Sequence, residues 1–316
     1  MRRRGLSNPK AVRWLRGTIR DMNTAPRLAI VTGASTGIGR AVALRFARAG
    51  WDCLAGVRTH EAHRRWMDAA AADTAVAHHV VPITLDVTLD TDRDAALREI
   101  RARGGRLHAL VNAAGIASPG AYAFGADATD RAVVETNLLG PMAFVRRLLP
   151  VLRAASDASG HTAPAVVVNV ASIAGLAPMP WQSAYHAAKF GLIGWGDAID
   201  HELRSEGVRV VSIVPGTVRT PMLEKADAIL EAAINAMPPS APRAYRTGLN
   251  KFRRSARLAS RFATTPQSVA DVVVNLASTP NPPTRVAIGA DAHVIRAIVQ
   301  WLPHAVAMAV LRRLLG

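Results

Sequence analysis

The chain has 316 residues, half of them hydrophobic and a fifth charged, with a formal net charge of +16 and one cysteine, Cys53. That balance excludes a disordered chain and supplies core for one large α/β domain, while a lone cysteine excludes an internal disulfide framework and fits a reducing cytoplasm. The cations invite a nucleic-acid reading, yet Arg2, Arg3, Arg4, Lys10, Arg13, Arg16, Arg20 and Arg27 crowd the first 27 residues against Asp21 alone, with no zinc-ligand spacing, helix-turn-helix signal or RNA-binding aromatic motif. Neither nucleic acid nor a metal is expected as a partner.

Residues 1–26 read as a basic, disordered extension without the apolar stretch of a secretory signal. Val12, Trp14, Leu15 and Ile19 among its cations leave a membrane-surface arm open. Met22 would make a compact start, so residues 1–21 are expected to be dispensable.

Residues 27–292 read as one folded domain. An apolar run over 27–31 leads into Thr32-Gly33-Ala34-Ser35-Thr36-Gly37-Ile38-Gly39, and a helical pattern covers 40–49. Strand, glycine loop and helix in that order form the context a dinucleotide site requires. Gly33 permits the tight turn, Gly37 the close approach of a pyrophosphate and Gly39 the packing of helix on sheet, with the helix N-terminus facing the phosphates.

The alternation continues. Residues 52–57 form strand two, which ends at Arg58, and a helix runs to about residue 71. Residues 80–85 form strand three, which ends in Asp86-Val87, followed by a helix near 92–101. Strand four over 107–111 ends in Asn112-Ala113-Ala114-Gly115. Strands separated by helices imply a parallel sheet with right-handed crossovers, and ligands of such sheets sit beyond the strands' carboxyl ends. Gly33, Arg58, Asp86, Asn112 and Ser172 all fall at such ends. A site selective for NAD places Asp or Glu at the end of strand two. Arg58 stands there instead, and a guanidinium pairs with a 2′-phosphate through charge-assisted bonds, so NADP(H) is the expected cofactor.

A helix over 129–154 contains Asn137 and Pro141. Proline has no N–H for the carbonyl four residues back, which leaves the Asn137 carbonyl free in mid-helix. Residues 165–170 then read as a buried strand, followed by Ser172 and by a helix carrying Tyr185-His-Ala-Ala-Lys189. Tyr and Lys at that spacing share a helix face. An ammonium there should lower the phenol pKa from ~10, making Tyr185 a candidate general acid or base, with Ser172 placed to hold a substrate oxygen. Such a pair also occurs by chance in many helices; the cofactor loops around it decide for catalysis.

Thr32-Gly33-x-x-x-Gly37-x-Gly39, Asp86, Asn112-Ala-Ala-Gly115, Asn137, Ser172, Tyr185-x-x-x-Lys189 and Pro215-Gly216 stand in the order of the short-chain dehydrogenase/reductase family, which the chain resembles over residues 28–222 and again over 264–292. Ser172 lies 13 positions before Tyr185, the spacing the family uses. The resemblance implies a doubly wound, seven-stranded Rossmann-type sheet. It implies Tyr185 as general acid/base, Ser172 on the substrate oxygen, Lys189 on the nicotinamide ribose, and Asn137 holding a water through its main-chain carbonyl. Asp86 would meet the adenine, with Val87 also in the cofactor site, Asn112, Ala113 and Gly115 would line the cofactor cleft, and Thr220, after Pro215-Gly216, would meet the carboxamide. Ser35, Thr36 and Ile38 complete the phosphate loop. Thr36 departs from those NADP-preferring relatives that carry a second basic residue there.

Residues 223–265 depart from the compact family core and lie where relatives place a substrate lid. Residues 226–236 suit a lid helix ended by Pro238-Pro239. A basic run follows, Arg243, Arg246, Lys251, Arg253, Arg254, Arg257 and Arg261, read as a solvated helix with attraction of an anionic substrate or carrier as the alternative. A helix opens at Thr265, and residues 285–288 are expected as strand seven. Residues 285–292 bear a weaker similarity to hydroxysteroid and retinol dehydrogenases. Residues 293–316 are largely apolar but interrupted by Pro303 and by Arg296, Gln300 and His304, which argues against a membrane span. A partner subunit, the active-site mouth or a membrane surface could cover them.

The reading is thus an NADP(H)-dependent oxidoreductase interconverting a ketone and a secondary alcohol, lipophilic or steroid-like. It is expected in the cytoplasm or peripheral at a membrane, as a homo-oligomer. A 3-oxoacyl reductase and a catalytically silent nucleotide-binding scaffold are the alternatives.

Overall fold

The computed structural model describes residues 26–160 and 162–315. The expectations placed on the N-terminal extension, Met22 included, lie outside the described residues. Short apolar runs supply the strands β1 (Leu28–Val31), β2 (Asp52–Val57), β3 (Val80–Thr84), β4 (Ala109–Asn112), β5 (Ala165–Val170), β6 (Val208–Pro215) and β7 (Arg285–Ile288). They alternate with the helices α1 (Gly37–Arg48), α2 (His60–Ala72), α3 (Thr74–His79), α4 (Asp90–Ala102), α5 (Asp127–Val134), α6 (Gly140–Asp157) and α7 (Ser183–Leu203). Beyond β6 come α8 (Pro221–Ala236), α9 (Arg243–Ala259) and α10 (Pro266–Ala277), and beyond β7 come α11 (Ala290–Trp301) and α12 (His304–Leu315).

All seven strands form one parallel sheet in the order β3-β2-β1-β4-β5-β6-β7. Successive side chains on a strand point to opposite faces. Ala29 and Val31 therefore join one core with Phe46, Trp66 and Val273, while Leu28 and Ile30 join the other with Phe144, Leu148 and Leu152. Helices cover both faces, which is why the strands are apolar throughout rather than alternating. Local signals set several helix starts. Thr59 Oγ1 accepts from the Ala62 N–H at 3.2 Å to begin α2, and Thr265 Oγ1 accepts from the Ser268 N–H at 3.1 Å to begin α10, where Pro266 occupies the first turn.

The helix expected over 129–154 is instead two helices, α5 and α6, joined by a wider π-type turn over Glu135–Leu139. In that turn the Gly140 N–H bonds the Glu135 carbonyl five residues back. Pro141 has no N–H to continue the tighter register. A Cβ at Gly140 would stand 2.9 Å from Val87 Cγ2, so glycine lets the turn press against the loop beyond β3. Asn137 sits inside this turn, and α6 carries a further proline, Pro150, within its length.

Two segments frame the sheet's carboxyl edge. Between Thr220 and Thr264 the chain leaves the body to form α8 and α9. The base of that excursion is fastened by the Thr264 N–H to the Thr217 carbonyl and the Arg219 N–H to the Thr264 carbonyl, each 2.9 Å. After β7, α11 and α12 break at Pro303 and fold back on the chain. Ile295 and Leu311 are buried with Ala177, against Ile173, Ile298, Val299 and Met308. The inner face of the apolar C-terminal segment is thus covered by the loop beyond β5, while Val294, Trp301, Leu302 and Val306 face outward. Among the described residues no helix is long and apolar enough to cross a membrane.

Candidate active site

The strand order reverses between β1 and β4, since the chain builds β2 and β3 to one side of β1 and returns to lay β4 on the other. In an open α/β sheet this is where a crevice opens. Thr32 fastens it: its hydroxyl accepts from the Ala113 and Ala114 N–H groups at 3.0 Å each, and its own N–H bonds the Val111 carbonyl at 3.0 Å. Gly33 follows at φ +64°, and a Cβ there would stand 2.7 Å from Ala114 Cα, so only glycine lets the two loops meet. A Cβ at Gly39 would stand 2.4 Å from the Gly33 carbonyl oxygen. The first turn of α1 carries no acidic residue, and Thr36 makes no side-chain cap. Its N–H groups are therefore left to an anion approaching the helix end.

A cavity of about 380 Å³ runs from this glycine cradle to Tyr185. Its lining includes Gly33, Ser35, Thr36, Gly37, Ile38, Gly39, Arg58, Asp86, Val87, Ala113 and Gly115 on one side. Ser172, Tyr185, Lys189, Pro215, Gly216 and Thr220 line the other. Arg58 is exposed at its rim. Asp86 is held in place by the Thr88 N–H and hydroxyl, which both donate to its Oδ1 at 2.9 and 2.7 Å, and by its own N–H donating to Asp92 Oδ2.

Two predicted residues lie behind the cavity wall rather than in it. Asn112 is buried, and its amide donates to Asn169 Oδ1 at 2.9 Å. The side chain points along the sheet because Asn112 and Asn169 are register partners on β4 and β5; it does not line the cleft. Asn137 is also buried. Its Oδ1 accepts from the Ile116 N–H and its Nδ2 donates to the Ile116 carbonyl, both at 2.8 Å. The side chain thereby clamps the loop beyond β4 that forms the cavity wall, and Gly115 beside it leaves only 3.1 Å between a built Cβ and Asn137 Oδ1.

Ser172, Tyr185 and Lys189 do converge. The Ser172 hydroxyl accepts from the Ala174 N–H at 3.1 Å and hydrogen-bonds Tyr185. Lys189 is buried, its Nζ donating to the Val170 carbonyl at 2.8 Å and lying 5.6 Å from the Tyr185 ring centroid. Burial pulls the Lys189 pKa from 10.5 down to about 8. Burial also raises the Tyr185 pKa above that of an ordinary phenol, with the Ser172 bond acting in the opposite direction. The sequence-based expectation that Lys189 lowers the tyrosine is corrected here. Desolvation penalises both charged forms, and the ammonium donates to a backbone carbonyl, so its pull on the phenolate is outweighed.

Sequence reasoning did not name the wall opposite the cradle, formed by Ile116, Pro119, Met179, Gln182, Met222 and Leu223. These come from two loops and the start of α8, and no spacing rule joins them. The basic run within residues 223–265 divides into paired and solvent-facing cations. Arg246 donates to the Ile234, Met237 and Pro238 carbonyls, and Arg253 and Arg257 pair with Asp227. Much of the basic run therefore ties α9 to α8, while Arg243, Lys251, Arg254 and Arg261 face solvent.

Residues 27–230 match the family model for short chain dehydrogenase. The chain is 28% identical over 262 residues to the 3-oxoacyl-[acyl-carrier-protein] reductase FabG of Thermotoga maritima, covering 81% of this chain and 92% of that one. A crystal structure of a short-chain dehydrogenase from Streptomyces avermitilis superposes with a TM-score of 0.69 at 28% identity, covering 86% of this chain and 91% of that one. An actinorhodin polyketide ketoreductase solved with NADPH gives a TM-score of 0.68 at 26% identity, covering 84% of this chain and 97% of that one. With its seven parallel strands, its glycine cradle at the switch point and its Ser172–Tyr185–Lys189 convergence, the chain belongs to the short-chain dehydrogenase family of oxidoreductases.

Proposed function

We propose that this protein is an NADP(H)-dependent reductase of lipophilic ketones, of a steroid-like kind, that also runs in reverse on the secondary alcohol, with Tyr185 as general acid/base. The observation that carries the reading is one continuous cavity. The glycine cradle and Arg58 stand at one end, Ser172, Tyr185 and Lys189 at the other, and an apolar wall faces them. A cradle in which Cβ atoms at Gly33 and Gly39 would collide with neighbouring backbone suits the close approach of a pyrophosphate.

In this reading Gly33, Ser35, Thr36, Gly37, Ile38 and Gly39 hold the pyrophosphate, Arg58 the 2′-phosphate, and Asp86 and Val87 the adenine. Ala113 and Gly115 form the cleft floor, and Lys189 orients the nicotinamide ribose. Pro215, Gly216 and Thr220 face the carboxamide. Hydride chemistry at the substrate carbon is what a nicotinamide held by these residues would supply. The chain's own residues manage the oxygen. Ser172 donates a hydrogen bond to the carbonyl oxygen, and Tyr185 Oη gives it the proton that completes the alcohol. Asn137 acts through Ile116, keeping the wall beside the reacting carbon in place. The main-chain carbonyl of Asn137, to which Pro141 cannot donate, is available for a water that relays the proton.

A second reading, reduction of a 3-oxoacyl thioester on an acidic carrier, is supported by the similarity to FabG and by the exposed cations of α9. A panel of cyclohexanone, acetophenone, a long-chain β-keto ester, an acyl-carrier thioester and a ketosteroid, assayed by NADPH absorbance, separates the two. On the best substrate Tyr185→Phe should reduce turnover by roughly 10²–10⁴-fold with NADPH affinity nearly unchanged. Full activity in that variant removes Tyr185 from the mechanism.

A further inference from the structure

The loop that runs from Ser172 into α7 is fixed at two points by a side chain of α7 itself. His186 is buried; its Nδ1–H donates to the Ala174 carbonyl at 2.7 Å, and its Nε2 accepts from the Met179 N–H at 3.1 Å. Two residues beyond this clip stands Trp181, at φ +72°, the one non-glycine residue in the left-handed region among those described. A bulky residue adopts that conformation only where its surroundings impose it.

Those surroundings are the lid. The Trp181 carbonyl accepts from the Gly120 N–H at 2.8 Å, which ties it to the loop beyond β4. Its indole packs edge-on against Tyr245 of α9, with ring centroids 5.9 Å apart. It also fills a notch at Gly248, where an added Cβ would stand 2.4 Å from Trp181 Cζ2. Trp181 and Tyr245 flank a small core of Ala121, Leu230, Met237 and Leu249, separate from the two cores that flank the sheet. Three segments therefore meet at Trp181: the loop beyond β4 at its carbonyl, the α8–α9 lid at its indole, and the residues leading into Tyr185, of which it is part. Met222 and Leu223 of the lid and Met179 and Gln182 of the loop belong to the same cavity wall.

We propose that Trp181 is a positioning residue, a latch that seats the α8–α9 lid against the Ser172–Tyr185 loop through the notch at Gly248 and so fixes the width of the substrate end of the cavity. The proposal rests on the reading of Tyr185 as the reacting residue only for its effect on turnover; the seating of the lid is independent of it. The sequence supports the notch in a specific way. Glycine is a poor residue for a helix interior, and Gly248 stands in the middle of α9 where the indole needs room.

The test uses the full chain with NADPH present and three variants. Trp181→Gly keeps the left-handed backbone and removes the indole. Gly248→Ala keeps the indole but closes the notch; since Ala is the better helix former, weaker lid protection could not come from α9 itself. Gly248→Ala with Trp181→Phe restores the room, because the smaller ring ends short of the notch. The first readout is the rate of tryptic cleavage within residues 243–261, whose Lys and Arg report lid opening. It should rise about tenfold in Trp181→Gly and in Gly248→Ala and return towards wild type in the double variant. NADPH affinity should stay at the wild-type value throughout. On the long-chain β-keto ester, kcat/KM should fall about tenfold or more, mainly through KM, in the two single variants and recover in the double. Wild-type cleavage rates in Gly248→Ala, or no recovery with Trp181→Phe, would overturn the latch. A loss of NADPH binding in wild type would instead overturn the cofactor reading and leave the cleavage result to judge the latch.

Discussion

Gly216 offers a quantitative test of how the cavity's far wall is held. A Cβ built on it would stand 1.8 Å from Asp291 Oδ1, 2.2 Å from Cγ and 2.4 Å from Oδ2. No rotation of one oxygen relieves this, so Gly216→Ala must expel the whole carboxylate. Asp291 lies in the first turn of α11, its Oδ2 accepting from the Thr217 N–H at 2.7 Å and its Oδ1 from the Ala292 N–H at 2.9 Å. Hydrogen bonds to a charged group contribute about 1.5–3 kcal/mol each, less where water can substitute, so losing both should cost about 2–4 kcal/mol. Asp291→Ala removes the same two bonds without the clash. The two single variants should therefore be similarly destabilised in urea unfolding followed by circular dichroism. The double variant Gly216→Ala/Asp291→Ala should cost little more than Asp291→Ala alone, a coupling of about 2 kcal/mol or more. Additive losses, or a neutral Gly216→Ala, would show that the carboxylate does not hold this loop.

Two further outcomes follow from the cavity's charges. Arg58→Ala should shrink the preference for NADPH over NADH by roughly 10- to 150-fold, read as a ratio of dissociation constants, and an unchanged ratio would place Arg58 outside the phosphate site. For Lys189, burial lowers the folded-state pKa from 10.5 to about 8. Below pH 8 both folded and unfolded states carry the charge, and the burial penalty is fully present; it is lost as pH rises towards 10.5. Wild type should therefore gain stability relative to Lys189→Gln between pH 8 and 10.5, by up to about 3 kcal/mol, in paired urea titrations. A constant gap across that window would show that the ammonium is not desolvated.

The sheet and the glycine cradle were legible because each rests on local rules. Apolar runs of strand length, a glycine loop before a helix and turn residues at strand ends need no knowledge of distant partners. Pro141 announced a disturbance in the helix over 129–154, yet a missing N–H reads equally as a kink or a change of register; the chain takes the π-type turn, with Gly140 against Val87. Asn112 was correctly placed at a strand end, but which way its amide points depends on the pairing of β4 with β5, and a one-residue shift would have turned it over. Gly216 was visible as a motif while its cause, Asp291, lies 75 positions on. Trp181 and His186 gave no signal at all. One depends on a notch in α9 and the other on a loop that folds back over its own helix.

The burial of Tyr185 and Lys189 bears on the direction in which the site is poised. Raised above the ordinary phenol range, Tyr185 keeps its proton at neutral pH, which is the form the proposed carbonyl reduction would draw on as donor. Alcohol oxidation needs the opposite form, a phenolate able to take a proton, and in the site as folded that form is penalised by desolvation. Lys189 is pulled the other way, to about 8, so part of the lysine population loses its charge in the mildly alkaline range and with it any support for a phenolate. Reduction should therefore prevail at neutral pH and below. Oxidation should emerge only as pH rises far enough to deprotonate Tyr185, and Ser172, whose hydrogen bond lowers the tyrosine pKa, sets how far that is. Removing that bond by Ser172→Ala should shift the oxidative pH profile upward, a direction that loss of a purely structural contact would not produce.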